Sequence, residues 1–295
     1  MKFFYFLVIG FVTAGLMTAC SPDAPVEPAS STPAPNGTPK VQYRLKKVGY
    51  SFANRYFSYE NGRLTGERWI GTDGTEIQLV TFTYDARNHL TTYTTRSTRP
   101  ATPYDLGTRI QYAYDGEGRL LARQLFTLQQ GSTPEAPALR LASVDTLSYN
   151  SAGQVIATTL YSYKSQGGAF SSQPTQCTRT TYHYDANGDI TEEISVSAPL
   201  TNLGGAVTAR KRVMEYDAYA NPYCLVKCPA FGQESWSKHN VVRLTTYQVY
   251  LYSKKEQPDF SRATPSVTEF TYTYKDMLPE QKGGAAAEAY EYEPF

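Results

Sequence analysis

Tyr182-His-Tyr184-Asp-Ala-Asn-Gly-Asp-Ile190 decides the fold. Its tyrosines stand two apart, the period at which side chains leave the same face of a strand. A polar turn follows, with a glycine where positive φ is free of steric cost, and Ile190 opens the returning strand. The same grammar recurs in Phe57-Ser-Tyr59-Glu-Asn-Gly-Arg-Leu64, Phe82-Thr-Tyr84-Asp-Ala-Arg-Asn-His-Leu90, Tyr112-Ala-Tyr114-Asp-Gly-Glu-Gly-Arg-Leu120, Leu147-Ser-Tyr149-Asn-Ser-Ala-Gly-Gln-Val155 and Met214-Glu-Tyr216-Asp-Ala-Tyr-Ala-Asn-Pro222. Successive signature tyrosines are 25, 30, 35, 35 and 32 residues apart, room for two strands and two connections. A recurring unit of this size predicts an array of β units sharing one continuous core. The Asp after Tyr can bond its own turn, which explains it without any function.

Between the short turns lie longer connections, near 71–75, 97–107, 129–138, 165–173 and 199–206, rich in Pro, Gly, Ser and Thr. In an antiparallel meander the two sets fall on opposite edges, so the long loops gather on one side, the usual place for recognition. No convincing helix period follows residue 40, a short Gly283–Ala289 stretch aside. The 25 tyrosines and frequent threonines are a strand composition. The expectation is an all-β domain: a single repetitive, strongly twisted and curled antiparallel meander of about fifteen strands, with a partial barrel as its end point. The alternative is a two-sheet β-sandwich. The pattern weakens after Tyr216 and returns at Tyr272-Thr-Tyr274-Lys-Asp-Met-Leu-Pro279. A strand from Val241 to Ser253 lies between, and a last strand containing Tyr290 and Tyr292 is expected to cap the array.

Residues 1–19 read as an export signal: Lys2, then 17 uncharged residues from Phe3 to Ala19, slightly short of the roughly 20 a spanning helix needs. Leu16-Met-Thr-Ala-Cys20 resembles the bacterial lipobox, with Met17 where the pattern prefers Leu, which implies a lipid anchor on Cys20. Residues 20–40 then form the lipidated cysteine and a tether; 21–40 hold six prolines and almost no large apolar side chain, the composition of a disordered spacer. Residues 41–295 are the β domain. Without Lys2 the basic and acidic residues number 27 each, so nothing argues for nucleic acid.

The Tyr-Asp-x-x-Gly units resemble the YD repeats of the RHS family, whose large members wind a β-sheet into a hollow shell. Closer still, Tyr216-Asp-Ala-Tyr-Ala-Asn-Pro222, Tyr274-Lys-Asp-Met-Leu-Pro279 and Tyr290-Glu-Tyr292 resemble the late motifs of small Bacteroidetes envelope lipoproteins of unassigned function with degenerate YD-like repeats. The resemblance spans about residues 43–292. It implies fold and location and no catalytic residue, and this chain is too short to enclose a protein as the large shells do.

Candidate chemistry is thin. Asp185, Asn187 and Asp189, with Glu192 and Glu193, place oxygens as a calcium loop does, but Ile190 stands where an EF-hand wants glycine. With Cys20 lipidated, Cys177, Cys224 and Cys228 make an odd set, and one disulfide with a spare thiol is the simplest outcome in an oxidising compartment. The three with His183 or His239 offer a zinc alternative. His89 falls in a turn, and no nucleophile elbow, phosphate loop or zincin motif occurs. Trp236 is a better ligand candidate than Trp69, and the period-2 tyrosines read as core. No catalytic residue, cofactor or metal site is assigned. The expectation is a non-catalytic, lipid-anchored envelope protein, held at a bacterial membrane through its N-terminal lipid. It acts as a binding or scaffold module for an unknown protein or glycan partner at its long-loop edge. The alternatives are a surface glycan hydrolase and a calcium-dependent adhesion module.

Overall fold

A computed structural model describes residues 42–98, 106–133, 136–163, 170–200, 207–226, 228–251, 257–284 and 287–295. The export signal, Cys20 and the tether lie outside these residues, as do most of the long connections expected at 97–107, 165–173 and 199–206.

The described residues form sixteen antiparallel strands, each paired with its neighbours in sequence, and the last pairs with the first to close a barrel. In order they are β1 Tyr43–Tyr50, β2 Ala53–Glu60, β3 Arg63–Gly71, β4 Glu76–Tyr84, β5 Leu90–Ser97, β6 Gly107–Tyr114, β7 Leu120–Thr133, β8 Ala136–Tyr149, β9 Val155–Ser162, β10 Gln176–Tyr184, β11 Ile190–Pro199, β12 Val207–Ala220, β13 His239–Leu251, β14 Ser266–Lys275, β15 Leu278–Gly284 and β16 Glu288–Pro294.

The signature turns are built alike. Asp85, Asp115, Asn150 and Asp185 each accept, through Oδ1, the amides two and four residues on, at 2.8–3.0 Å. The residue before the end of each turn is left-handed: Gly118, Gly153 and Gly188 at φ 82°, 76° and 89°, with Asn88 at 67° in the remaining one. A bulge then follows, so Tyr84 faces Leu90 while Thr83 faces Thr92, and the same shift recurs at Tyr114, Tyr149 and Tyr184. The extra residue keeps both the tyrosine and the returning aliphatic pointing inward.

Neighbouring units are joined by the tyrosine hydroxyls. Tyr84 donates to the Leu64 carbonyl at 2.8 Å, Tyr114 to Leu90 at 2.9 Å, Tyr149 to Leu120 at 2.7 Å, Tyr184 to Val155 at 2.8 Å and Tyr216 to Ile190 at 2.7 Å. Each acceptor is the aliphatic residue that opened the return strand of the unit before. The period-2 tyrosines therefore face the core, as their spacing predicts, and the second tyrosine of each of these five signatures finds a main-chain partner there.

Closure reuses the same unit. Tyr292 faces Leu45 and Glu291 faces Lys47, the bulged register of every signature turn, and Tyr59 donates to the Leu45 carbonyl at 2.7 Å. The eighth hairpin is thus split, with its outgoing strand at the end of the domain and its return strand at the start. Tyr292 in turn donates to the Pro279 carbonyl at 2.8 Å. A meander of eight hairpins leaves no edge strand to protect. The partial barrel and the sandwich are both corrected by this pairing: β16 completes a repeat with β1 and does not cap an edge.

Other expectations also shift. The 129–138 loop is mostly strand, since β7 and β8 run on as one tall hairpin. Gly283–Ala289 is no helix, because β15 ends and β16 begins within it. The sixth signature lacks its short turn. After Tyr216 the chain runs through Ala220 into two 3₁₀ turns, Pro222–Val226 and Pro229–Ser235, before β13 returns at His239.

Candidate functional site

The insert between β12 and β13 is a plug. Pro222 and Pro229 start its two short turns, where a missing amide costs nothing and strand pairing stops. Asn221 cross-ties its ends, taking the Lys238 carbonyl through its amide at 2.8 Å and the Glu234 and Ser237 carbonyls through its side chain at 2.6 and 3.0 Å. Val226, Cys228 and Phe231 are buried among the inward aromatics of the first six strands, with Tyr290. Trp236 joins the second aromatic cluster, edge-on to Tyr182 at 5.3 Å. The plug therefore seals the end of the barrel that carries the short turns. Gln42 and Phe295 lie at that end too, bonded at 3.1 Å.

Charged inward side chains hold the plug against the wall. Asp189, 1% exposed, accepts from the amides of Lys238 and His239 at 2.6 and 3.0 Å and lies 2.6 Å from His239 Nδ1. Arg55 pairs bidentately with buried Glu67 at 2.7 and 2.8 Å and lies over the rings of Phe231, Phe57 and Trp69. Across the barrel Gln233 donates to Glu193, which Arg210 and Arg212 flank at 3.6 and 3.5 Å. Arg123 pairs with Asp145, whose carboxyl is pushed up by burial against the opposing pull of Arg123.

The upper surface of the plug forms the floor of a well. Tyr50 and Tyr223 hydroxyls meet at 3.2 Å, and Glu288 accepts from Tyr223, Tyr290 and Lys282 at 3.1, 2.9 and 2.9 Å. Glu234 stands beside this group, reachable by water yet ringed by the barrel wall. That crowding raises its carboxyl above the usual range; Glu288 and Glu67 reinforce the shift while Arg55 and Lys282 oppose it. Higher up, the inward face turns to hydroxyls and amides: Thr95 with Thr108 at 2.8 Å, Thr180 with Ser195 at 2.9 Å, Thr178 with Ser197 at 2.8 Å and Gln176 with Ser197 at 2.6 Å. Near the long-loop end, inward Leu160 and Tyr250 are exposed to solvent. Above the buried aromatic cluster the inward wall is largely polar, the lining of a hydrated receptacle.

The sequence-derived candidates are scattered by this geometry. Asp185 caps its own turn, Asp189 latches the plug, Glu192 points outward to Lys211 and Glu193 inward to the arginines. The calcium-like set therefore diverges, since successive strand residues face opposite sides, and among the described residues no cluster of metal-ligating groups forms. The expected disulfide is corrected: no bond links Cys177, Cys224 and Cys228 to one another. Cys177 lies on the outer wall, Cys224 bonds the Ser237 and Ser235 carbonyls at 2.8 and 3.2 Å, and Cys228 is buried in the floor. This separates the zinc set as well. His89 stacks on Tyr114 in its turn, and His183 faces outward. Trp236 is core, not ligand surface, whereas Trp69, stacked on Tyr50 at 5.4 Å, lies beside the well floor. Glu234 and the Arg55–Glu67 pair were missed. The signal that marks them is the break in the repeat between Asp217 and Lys238.

No protein family and no curated protein matches the chain. Among solved structures, it is similar to a porin-like protein from Bacteroides vulgatus ATCC 8482, at 11% identity and a TM-score of 0.46, over 86% of this chain and 100% of that one. A porin-like protein from Bacteroides uniformis ATCC 8492 is similar at 13% identity and a TM-score of 0.44, over 85% and 95% of the two chains. The TcdB2–TccC3 toxin structure aligns at 11% identity and a TM-score of 0.26, over 82% of this chain and 15% of that one.

Proposed function

We propose that the protein is a non-catalytic receptacle of the cell envelope, tethered through lipid on Cys20, that engages a protein or glycan partner at its long-loop mouth. The observation that supports this reading is the plug, which fills the short-turn end of the barrel while, among the described residues, inward Leu160 and Tyr250 stay exposed near the other end. Both ends of the β domain lie at the sealed end, so a tether leaving residue 42 presents the mouth away from the membrane.

The outer wall supports a barrel standing in water. A membrane-spanning barrel presents an apolar band of about 25 Å to lipid. Here Lys47 pairs with Glu291 and Arg44 with Glu293 at 2.7 Å, and Arg243 lies 3.6 Å from Glu215, all on outward faces. An arginine or lysine facing lipid would cost about 2–4 kcal/mol near a bilayer midplane.

The test is capture of envelope components by the purified domain, with and without a bulky maleimide adduct on a Tyr250→Cys variant at the mouth in which Cys177 is changed to serine. Loss of capture with the adduct supports the reading, and undiminished capture refutes it. The glycan-hydrolase alternative has one observation in its favour: Glu234 is water-accessible and its carboxyl is raised, as a general acid requires. Its neighbour Glu288 is committed to three donors, which suits a brace better than a second catalytic carboxylate. Turnover of any envelope glycan that Glu234→Gln abolishes would establish the hydrolase instead.

A further inference from the structure

The outer wall of β4–β6 carries a depression of about 560 Å³ that the plug and the well do not use. Its floor is a row of hydroxyls: Thr81 opposite Thr94, and Thr83 opposite Thr92. Thr94 points outward yet is only 8% exposed, so the floor is recessed and not merely a patch of strand surface. Gly66, opposite Thr81, leaves one flank without a side chain.

Two arginines border this floor, Arg109 opposite Thr94 and Arg96 opposite Leu79. Several outer-wall cations elsewhere are paired: Arg44, Lys47, Arg68 and Lys211 each sit against a carboxylate. Among the described residues Arg96 and Arg109 have no such partner, and none of the residues lining the depression is acidic. The Arg109 Nε is buried and makes no hydrogen bond. A buried donor left unsatisfied is costly, and an incoming oxyanion would relieve that cost.

We propose that this trough binds an acidic saccharide. A sugar carboxylate matches the planar fork of a guanidinium, which donates in parallel to both oxygens. The four threonine hydroxyls both donate and accept, as ring hydroxyls require. Leu79, 38% exposed, offers apolar contact to a ring face. The volume lies within the roughly 300–1,000 Å³ typical of small-molecule sites. The trough is on the opposite side of the wall from the well, so its failure would leave the mouth reading standing, and the reverse.

The experiment is calorimetric titration of the intact β domain with tri-galacturonic acid, maltotriose and inorganic phosphate in separate arms. The expected result is binding of tri-galacturonic acid that weakens with added salt and falls at least tenfold in an Arg96→Gln/Arg109→Gln variant. Maltotriose and phosphate should bind far more weakly. Thr94→Val, which keeps shape and removes one hydroxyl, should weaken binding severalfold, with the unfolding midpoint of each variant confirming its fold. No binding of tri-galacturonic acid, equal binding of maltotriose, an unchanged affinity in the double variant, or displacement by an equal concentration of phosphate would each overturn the proposal.

Discussion

Replacing Tyr184 with Phe tests the device that joins one repeat to the next. The ring stays in the core, and only the hydroxyl bonded to the Val155 carbonyl at 2.8 Å is lost. A hydrogen bond of this kind contributes about 1 kcal/mol net, within a range of about 0.5–1.5. The Tyr84, Tyr114 and Tyr149 bonds have the same geometry in other units, so each Phe substitution should cost a similar amount. The four sites share no partner and should add, giving a loss of about 4 kcal/mol in the quadruple variant. Against a domain stability of about 5–15 kcal/mol, that is a large fraction. Tyr56 faces outward and its hydroxyl makes no such bond, so Tyr56→Phe is the control and should change little. Urea unfolding followed by tryptophan fluorescence reads all six variants against the parent. Single variants indistinguishable from the control, or a quadruple variant no weaker than one single, would refute the hydroxyl ladder as the glue between repeats.

Three further outcomes follow from the same geometry. The Tyr216 hydroxyl is pushed up from 10.0 to about 12, chiefly by burial, and its sister tyrosines are raised as well. Such groups hold their full stabilisation below the ordinary value, and it is lost as pH rises through the folded value. Unfolding midpoints should therefore be flat up to pH 10 and fall steeply toward pH 12, in step with tyrosinate absorbance; a midpoint unchanged at pH 12 contradicts the burial. Asp189→Ala leaves two part-buried amides without their acceptor, a loss of about 1–3 kcal/mol. Hydrogen exchange should then rise first across 222–239, and uniform exchange would mean Asp189 is no latch. Cys177, on the outer wall, should react with a maleimide in the folded protein. Cys228, whose thiol burial pushes up to about 12, should react only on unfolding. Equal labelling rates would sink the assignment of Cys228 to the floor.

The repeating part of the fold was legible because each unit carries its own instructions. An inward tyrosine pair, an Asx-type turn and a returning aliphatic all sit within nine residues, as in Tyr182 to Ile190. Closure was not legible, because it depends on strands about 240 residues apart in sequence whose pairing no local signal announces. Only half of the eighth signature is written at Tyr290-Glu-Tyr292, and its other half is the plain aliphatic Leu45. The plug region registered as a loss of pattern after Tyr216, but a broken period does not say whether the extra residues project outward or fold inward. Asp217 shows the consequence: it captures the Tyr274 hydroxyl, so in the seventh unit Tyr272 makes the bond to the Val241 carbonyl instead. The well was hidden for the same reason. Arg55, Glu67 and Glu193 look like ordinary alternating strand charges until the insert supplies what they face.

The seam between β1 and β16 carries the account, because it turns an array into a closed vessel. Lys47 and Glu291 are direct antiparallel partners on its outer face. Directly opposed residues lie about 4.5–5.5 Å apart at Cα, within reach of a disulfide. In a Lys47→Cys/Glu291→Cys variant with the native cysteines changed to serine, mild oxidation should link the two positions within one chain, without denaturant. A folded variant in which those thiols stay free, or pair only between molecules, would contradict the barrel.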